Sequence, residues 1–282
     1  MTVTAGVTTA WGAATDRGRR RTLNEDAFLA SEPVFVVADG MGGHEAGEVA
    51  SACVVDVLRR RLVGSTATPE LVNAAIEESH REVQRIEARP GRGAGTTVSG
   101  VVLAEVAGEP YWIVVNLGDS RTYRLSRGVL EQISVDPSEV QELIEAGTVT
   151  RAQAALHPRR HVVTRAIGAS GTIDVDYWLL PVARGDRILV CSDGLTGELS
   201  DEAVTGTLLA ESDPQSAAER LVADAVRAGG RDNVTVVVVD VREIDGLDDG
   251  SSATKPRGDD LADDETQPRG AVARAVGTEV DR

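Results

Sequence analysis

Lysine is all but missing. Lys255 is the only one, so the remaining basic charge of this 282-residue chain is arginine. Basic residues of both kinds number 29 against 45 Asp and Glu, which leaves a formal net charge of -16. A chain so acidic is a poor partner for nucleic acid or an anionic membrane surface. Aromatic residues make up only 3%, so any core must be built from Val, Leu, Ala and Ile. Cys53 and Cys191 are the only cysteines. Each lies in an apolar context, which predicts core thiols in a reducing compartment rather than a disulfide framework. No apolar run approaches the ~20 residues of a membrane span. The N-terminus also lacks the basic segment and apolar stretch of a secretory signal. These absences predict a cytoplasmic protein. At 41% hydrophobic residues, the chain has enough apolar material for one large domain or two small ones.

The most informative stretch runs over residues 33–50, PVFVVADGMGGHEAGEVA. An apolar run from Val34 to Ala38 reads as a buried strand that stops at Asp39. Gly40, Gly42 and Gly43 then allow a sharp turn and leave carbonyl oxygens uncovered. A carboxylate beside a free carbonyl is a hard-oxygen site suited to Mg²⁺ or Mn²⁺. Taken alone, the stretch reads equally well as an ordinary Asp-Gly turn.

The rest of the chain alternates blocks of strands and helices. Strands are expected over 7–14, 27–30, 96–106 and 111–116, and a hairpin over 121–133. Further strands are expected over 173–180, 186–191 and 234–241. Helices are expected over 45–62, 69–88, 201–210 and 214–228. The run 234–241 is nearly pure valine, so both its faces should be buried. Tight turns between strand pairs favour an antiparallel α+β fold over a doubly wound parallel sheet. Residues 134–170 are charged and read as a flap over the sheet. From 244 to 282 the chain is acidic, aperiodic and poor in apolar residues, which predicts a disordered tail after a domain spanning 1–243.

Asp119, Asp193 and Asp232 repeat the grammar of Asp39: each stands at a strand end beside a tight turn. One strand-end Asp is usually a turn or a cap. Four on one sheet edge would repel one another, and a divalent cation is the simplest neutraliser. Two oxygen-ligated ions ~3.5–4 Å apart activate a water and hold phosphoryl oxygens, giving hydrolysis with no covalent enzyme intermediate. Arginine suits the phosphate clamp, and the cluster Arg17 to Arg21 lies just before Glu25-Asp26; as a solvated loop it reads equally well. His44 follows the glycine turn, where a general acid for the leaving alkoxide would sit. His80, on the second helix, reads as a surface residue, and His157 and His161, in the flap, as structural or substrate-contacting residues rather than metal ligands. A C-x₅-R spacing joins Cys53 to Arg59 (CVVDVLR), but its apolar, helical interior is not a phosphate cradle. No G-x-x-x-x-G-K-[ST] loop or G-x-S-x-G elbow is present.

Six stretches together resemble the PPM/PP2C metal-dependent serine/threonine protein phosphatases, and most closely the bacterial branch that reverses Hanks-type kinases. They are Asp16-x-Gly18-x-x-Arg21-x-x-Asn24-Glu25-Asp26, Val37-Ala-Asp39-Gly-Met-Gly-Gly-His44 and Gly95-Thr96-Thr97. Asn116-Leu-Gly-Asp119-Ser-Arg121, Cys191-Ser-Asp193-Gly194 and Gly230-Arg-Asp232-Asn233 follow. The resemblance implies an α-β-β-α sandwich of two mainly antiparallel sheets with two Mn²⁺ or Mg²⁺ ions at one end. By position, Asp39 would bridge both ions, the Gly40 carbonyl would bind the first, and Asp193 and Asp232 the second. Glu25 and Asp26 would orient waters on the ions, Arg21 would grip the phosphate and His44 would be the acid. Asp119, with Asp193, matches a third and weaker site. The implied protein is a monomer acting on phosphorylated proteins, partnered by a Hanks-type kinase and its substrates, and it binds neither nucleic acid nor membrane. A pseudophosphatase that binds phosphopeptides without turnover would lack a metal carboxylate, and none is lacking. A phosphodiesterase or nuclease would need a basic groove, which the charge disfavours.

Overall fold

The computed structural model describes residues 6–42, 46–86, 93–136, 165–171, 173–245 and 273–274. Three strands open the chain: β1 (Val7–Asp16), β2 (Asp26–Ser31) and β3 (Val34–Met41). Helices α1 (Ala46–Leu62) and α2 (Pro69–Val83) follow. Thr68 caps α2 by accepting from the Leu71 N–H, and Pro69 opens its first turn. Then come β4 (Gly95–Thr96), β5 (Val98–Val106), β6 (Glu109–Leu117), β7 (Arg121–Ser126), β8 (Val129–Gln132), β9 (Asp176–Pro181) and β10 (Arg187–Cys191). A four-residue helix, α3 (Asp193–Thr196), leads to α4 (Asp201–Ala210), α5 (Pro214–Ala228), β11 (Val234–Ile244) and β12 (Ala273–Arg274).

The strands form two antiparallel sheets, ordered β1-β11-β10-β7-β8 and β12-β9-β6-β5-β3-β2, with β4 paired to β3. Period-two alternation assigns each strand face to a layer. Val34, Val36 and Ala38 of β3 point toward α1 and α2 with Leu58, Leu62 and Ile76. Phe35 and Val37, on the opposite face, meet Trp112, Ile188 and Val239 between the two sheets. The valine strand β11 divides in the same way. Val237, Val239 and Val241 enter the inter-sheet core, while Val234, Val236 and Val238 pack under α4 and α5. Both faces of β11 are therefore buried, as its composition predicts. The result is a helix-sheet-sheet-helix sandwich with three apolar layers.

Helix α5 lies close on β1: a Cβ at Gly12 would overlap the Gln215 backbone. The Gln215 side chain bonds both the N–H and the carbonyl of Ala13. Several boundaries differ from the sequence expectation. Helix α2 ends at Val83, and β9 starts at Asp176 rather than 173. His80, expected on the surface, is buried. Cys191 is fully buried, whereas Cys53 is only partly so. The flap core over 137–164 lies outside the described residues, as does most of the tail. From the tail, Ala273 and Arg274 pair with Leu179 and Trp178 on the β9 edge. No helix among the described residues is long and apolar enough to cross a membrane.

Candidate metal centre

Antiparallel pairing brings the exits of β1, β3, β6 and β10 to the same end of the sandwich as the entries of β2 and β11. Asp26 and Asp39 are direct cross-strand partners. Asp16 faces Val234, which puts Asp232 beside the start of the arginine loop. Asp193 begins α3 two residues after β10, and Asp119 lies two residues beyond β6. The four strand-end Asp residues, with Glu25 and Asp26, thus face a common space.

Buried hydroxyls and an amide position them. The Asp39 N–H donates to Thr97 Oγ1 at 3.0 Å, and its carbonyl accepts from the Thr97 N–H and Thr96 Oγ1, each at 2.9 Å. Thr97 Oγ1 in turn shares a 2.8 Å hydrogen bond with Ser120 Oγ, beside Asp119. Asp26 Oδ2 accepts from Ser192 Oγ at 2.8 Å and Thr235 Oγ1 at 2.7 Å, so one carboxylate joins β2 to the β10 exit and β11. Asn233 is 4% exposed. Its Oδ1 accepts from the Glu25 N–H, and its Nδ2 donates to the carbonyls of Arg17 and Leu23, all at 2.9 Å. This side chain pins the arginine loop beneath Arg21. Gly40 donates its N–H to the Glu25 carbonyl at 3.1 Å. A Cβ at Gly40 would stand 2.5 Å from that same oxygen, so the close approach of β3 to Glu25 needs glycine.

Electrostatics follow from crowding. Burial pushes Asp39 well above the ordinary carboxylate range, and Asp26, Asp193, Asp119 and Asp232 push it further. Burial raises Asp26 to about 7 against the pull of its two hydroxyl partners. Asp119 is also raised to about 7, by burial and then by Asp193. Glu25 is raised by burial, opposed by Arg21. Arg21 Nη2 donates to Asp232 Oδ2 at 2.6 Å. The arginine expected beside the carboxylates is therefore there, paired with one of them.

The donor set tests the ion reading. Among the described residues, no group of three or more Asp, Glu, His or Cys side chains is placed to hold a metal ion by itself. The donors are carboxylates from separate strand ends and backbone oxygen, a set that Mg²⁺ or Mn²⁺ completes with water. Glu25 Oε1 and Asp26 Oδ1 are buried there with no hydrogen-bond partner among the described residues. Buried acceptors of this kind call for proton donors, and ion-held water supplies them. The residues therefore fit a hard divalent cation. His44 lies outside the described residues. The cysteines are no nucleophiles: burial raises Cys53 to about 11 and Cys191 to about 12, and Arg59 points to solvent. Sequence reasoning missed the positioning roles of Ser120, Ser192 and Thr235. Of these, Ser120 and Ser192, like Thr96, Thr97 and Asn233, stand in the quoted motifs without work assigned to them; Thr235 stands in none.

A four-layer antiparallel sandwich, with hard-oxygen donors at one end and an arginine on the rim, defines a phosphate-handling hydrolase of the metal-dependent kind. The family described as Protein phosphatase 2C matches residues 15–227, and the chain belongs to that family. Serine/threonine phosphatase stp of Listeria monocytogenes is 34% identical over 239 residues, 80% of this chain and 93% of that protein. Serine/threonine protein phosphatase PstP of Mycobacterium tuberculosis is 37% identical over 271 residues, 94% of this chain but 51% of that protein. A crystal structure of the M. tuberculosis phosphatase PstP/Ppp superposes with a TM-score of 0.76 at 35% identity, covering 83% of this chain and 99% of the other. The PstP catalytic domain in complex with two manganese ions gives 0.74 at 35% identity, with the same coverage.

Proposed function

We propose that this chain hydrolyses phosphoserine and phosphothreonine in proteins, using two Mn²⁺ or Mg²⁺ ions. The observation that carries the reading is the shared end of the sandwich, where Asp39, Asp193 and Asp232 face one another beside the unpartnered oxygens of Glu25 and Asp26. When bound, the ions supply a water of lowered pKa and offset the charge of the phosphoryl oxygens. Asp39 and the Gly40 carbonyl would hold one ion, and Asp39, Asp193 and Asp232 would hold the other. Asp119 and Asp193 offer a third, weaker position. Glu25 Oε1 and Asp26 Oδ1, buried without a hydrogen-bond partner among the described residues, would accept from ion-held water. Arg21, already on the rim and half exposed, turns its planar fork to the substrate phosphate. His44 donates the proton to the departing alkoxide.

The likeness to bacterial serine/threonine phosphatases supports the substrate class. In this reading residues 1–243 form the catalytic unit, with a flap over 134–170 that affects substrate choice and an acidic tail beyond. The protein works as a cytoplasmic monomer opposite a Hanks-type kinase. Asp39→Asn tests the mechanism: phosphate release from a phosphothreonine peptide in Mn²⁺ should fall by about 10³-fold or more, the scale of losing a charged group that organises a transition state, while the fold stays intact. A fully active, metal-loaded Asp39→Asn variant would overturn it.

A further inference from the structure

The two carboxylates proposed for the second ion stand on separate segments. Asp193 is the first residue of α3, and Asp232 lies in the turn that enters β11. One ion pair ties those segments together. Glu198 follows Gly197, the residue that caps the C-terminus of α3. Its Oε1 accepts from both the backbone N–H and Nε of Arg231, each at 2.9 Å. Arg231 Nη2 reaches Oε2 at 3.2 Å and the Gly197 carbonyl at 2.7 Å. Both the backbone and the side chain of the residue before Asp232 are thereby fastened to the end of α3.

The geometry is more confining than that of an ordinary surface pair. The Glu198 side chain is 6% exposed and Arg231 is 61% exposed, so the guanidinium lies over the carboxylate. Gly229 hugs the same group: a Cβ there would sit 2.5 Å from Oε2 and 2.7 Å from Oε1. A cleft of about 470 Å³ opens here, bounded by Glu198 and Arg231 as well as by Asp193 and Asp232. Exposed ion pairs contribute little as a rule. A carboxylate that takes a backbone N–H and a fork of side-chain donors at once is a stronger, directional clamp.

We propose that Glu198 is a positioning residue: by latching Arg231 to the end of α3 it fixes Asp193 relative to Asp232, and so sets the affinity of the second ion. The inference rests on the ion reading above. Residues that orient metal ligands are worth about 10–100-fold in metal affinity.

The test is calorimetric titration of Mn²⁺ into the full chain, for wild type, Glu198→Ala and Arg231→Ala, with a thermal melt of each. Glu198→Ala should weaken one of the two principal sites by about 10–100-fold and leave the other in place. It should raise the half-saturating Mn²⁺ concentration for turnover more than it lowers kcat. Arg231→Ala should fall between it and wild type, because the backbone N–H still reaches Glu198. If Glu198→Ala does not fold, an intermediate loss at one site in Arg231→Ala supports the latch. Unchanged affinity at both sites in a folded variant, or equal weakening of both, overturns it. A wild-type chain that binds no Mn²⁺ would instead overturn the ion reading on which the latch depends.

Discussion

Asn233 shows how much one side chain does at this site. Three backbone groups that belong to the arginine loop and its exit lean on its amide. Asn233→Ala leaves the Glu25 N–H and two carbonyls seeking other partners, at about 1–3 kcal/mol for the buried donor alone. Denaturant titration should show a loss of about 2–3 kcal/mol. The KM for a phosphopeptide should rise more than kcat falls, because the loop that carries Arg21 loosens. A wild-type denaturation midpoint would contradict the role. The strand-end Asp residues were legible in the sequence because a carboxylate that stops an apolar run is a local pattern. The supports were not. Thr97 reaches Asp39 across 58 positions and Asn233 reaches Arg17 across 216. Only the closed sandwich brings such pairs together, so no window of sequence contains them.

Among the elements, α2 holds a tether that sequence reasoning placed wrongly. His80 Nδ1 accepts from the Gly168 N–H at 3.1 Å, which leaves Nε2 to donate to the Gly171 carbonyl at 3.0 Å. Gln84 adds a bond to the Ala169 carbonyl at 3.0 Å. The segment 168–171 is thus moored to one helix. His80→Ala should speed amide exchange at Gly168 by about 10-fold or more, since one lost buried bond is worth about 1–3 kcal/mol. Mn²⁺ binding should be untouched; unchanged exchange would contradict the tether. The signal for burial was present: His80 stands four residues after Ile76 and three before Val83, on the apolar face of α2. Polarity outweighed period in the reading. Strand β11 was the opposite case. An almost pure valine run has no polar face to expose, so composition alone placed it between two layers.

The whole molecule gathers like charge at one end, and its stability should record that. Asp26 and Asp119 both rise from 3.8 to about 7. Between about pH 4 and pH 7 the native state therefore binds more protons than the unfolded chain, and stability falls as pH rises. Glu198 and Asp213 are shifted down from 4.5 and 3.8, so their contribution is complete once pH passes those values, near the bottom of that window. In EDTA the protein should melt about 5–10 °C lower at pH 8 than at pH 5, the equivalent of a few kcal/mol in a chain of this size. Saturating Mn²⁺ should remove most of that difference. A melting point independent of pH in EDTA would show that the carboxylates do not crowd as described. The charged end was legible because it follows from where apolar runs stop; the residues alone gave an antiparallel α+β fold, and the four-layer order came only with the family resemblance. The layer assignment of α4 and α5 was not legible, because only the packing of β11 fixes which sheet they cover.

The most direct test is phosphate release from a phosphothreonine peptide, first with Mn²⁺ and then with excess EDTA. Phosphate should be released in Mn²⁺, release should stop in excess EDTA, and fresh Mn²⁺ should restore it. Release that continues undiminished in EDTA, or none from a folded protein in either Mn²⁺ or Mg²⁺, would contradict metal-dependent hydrolysis.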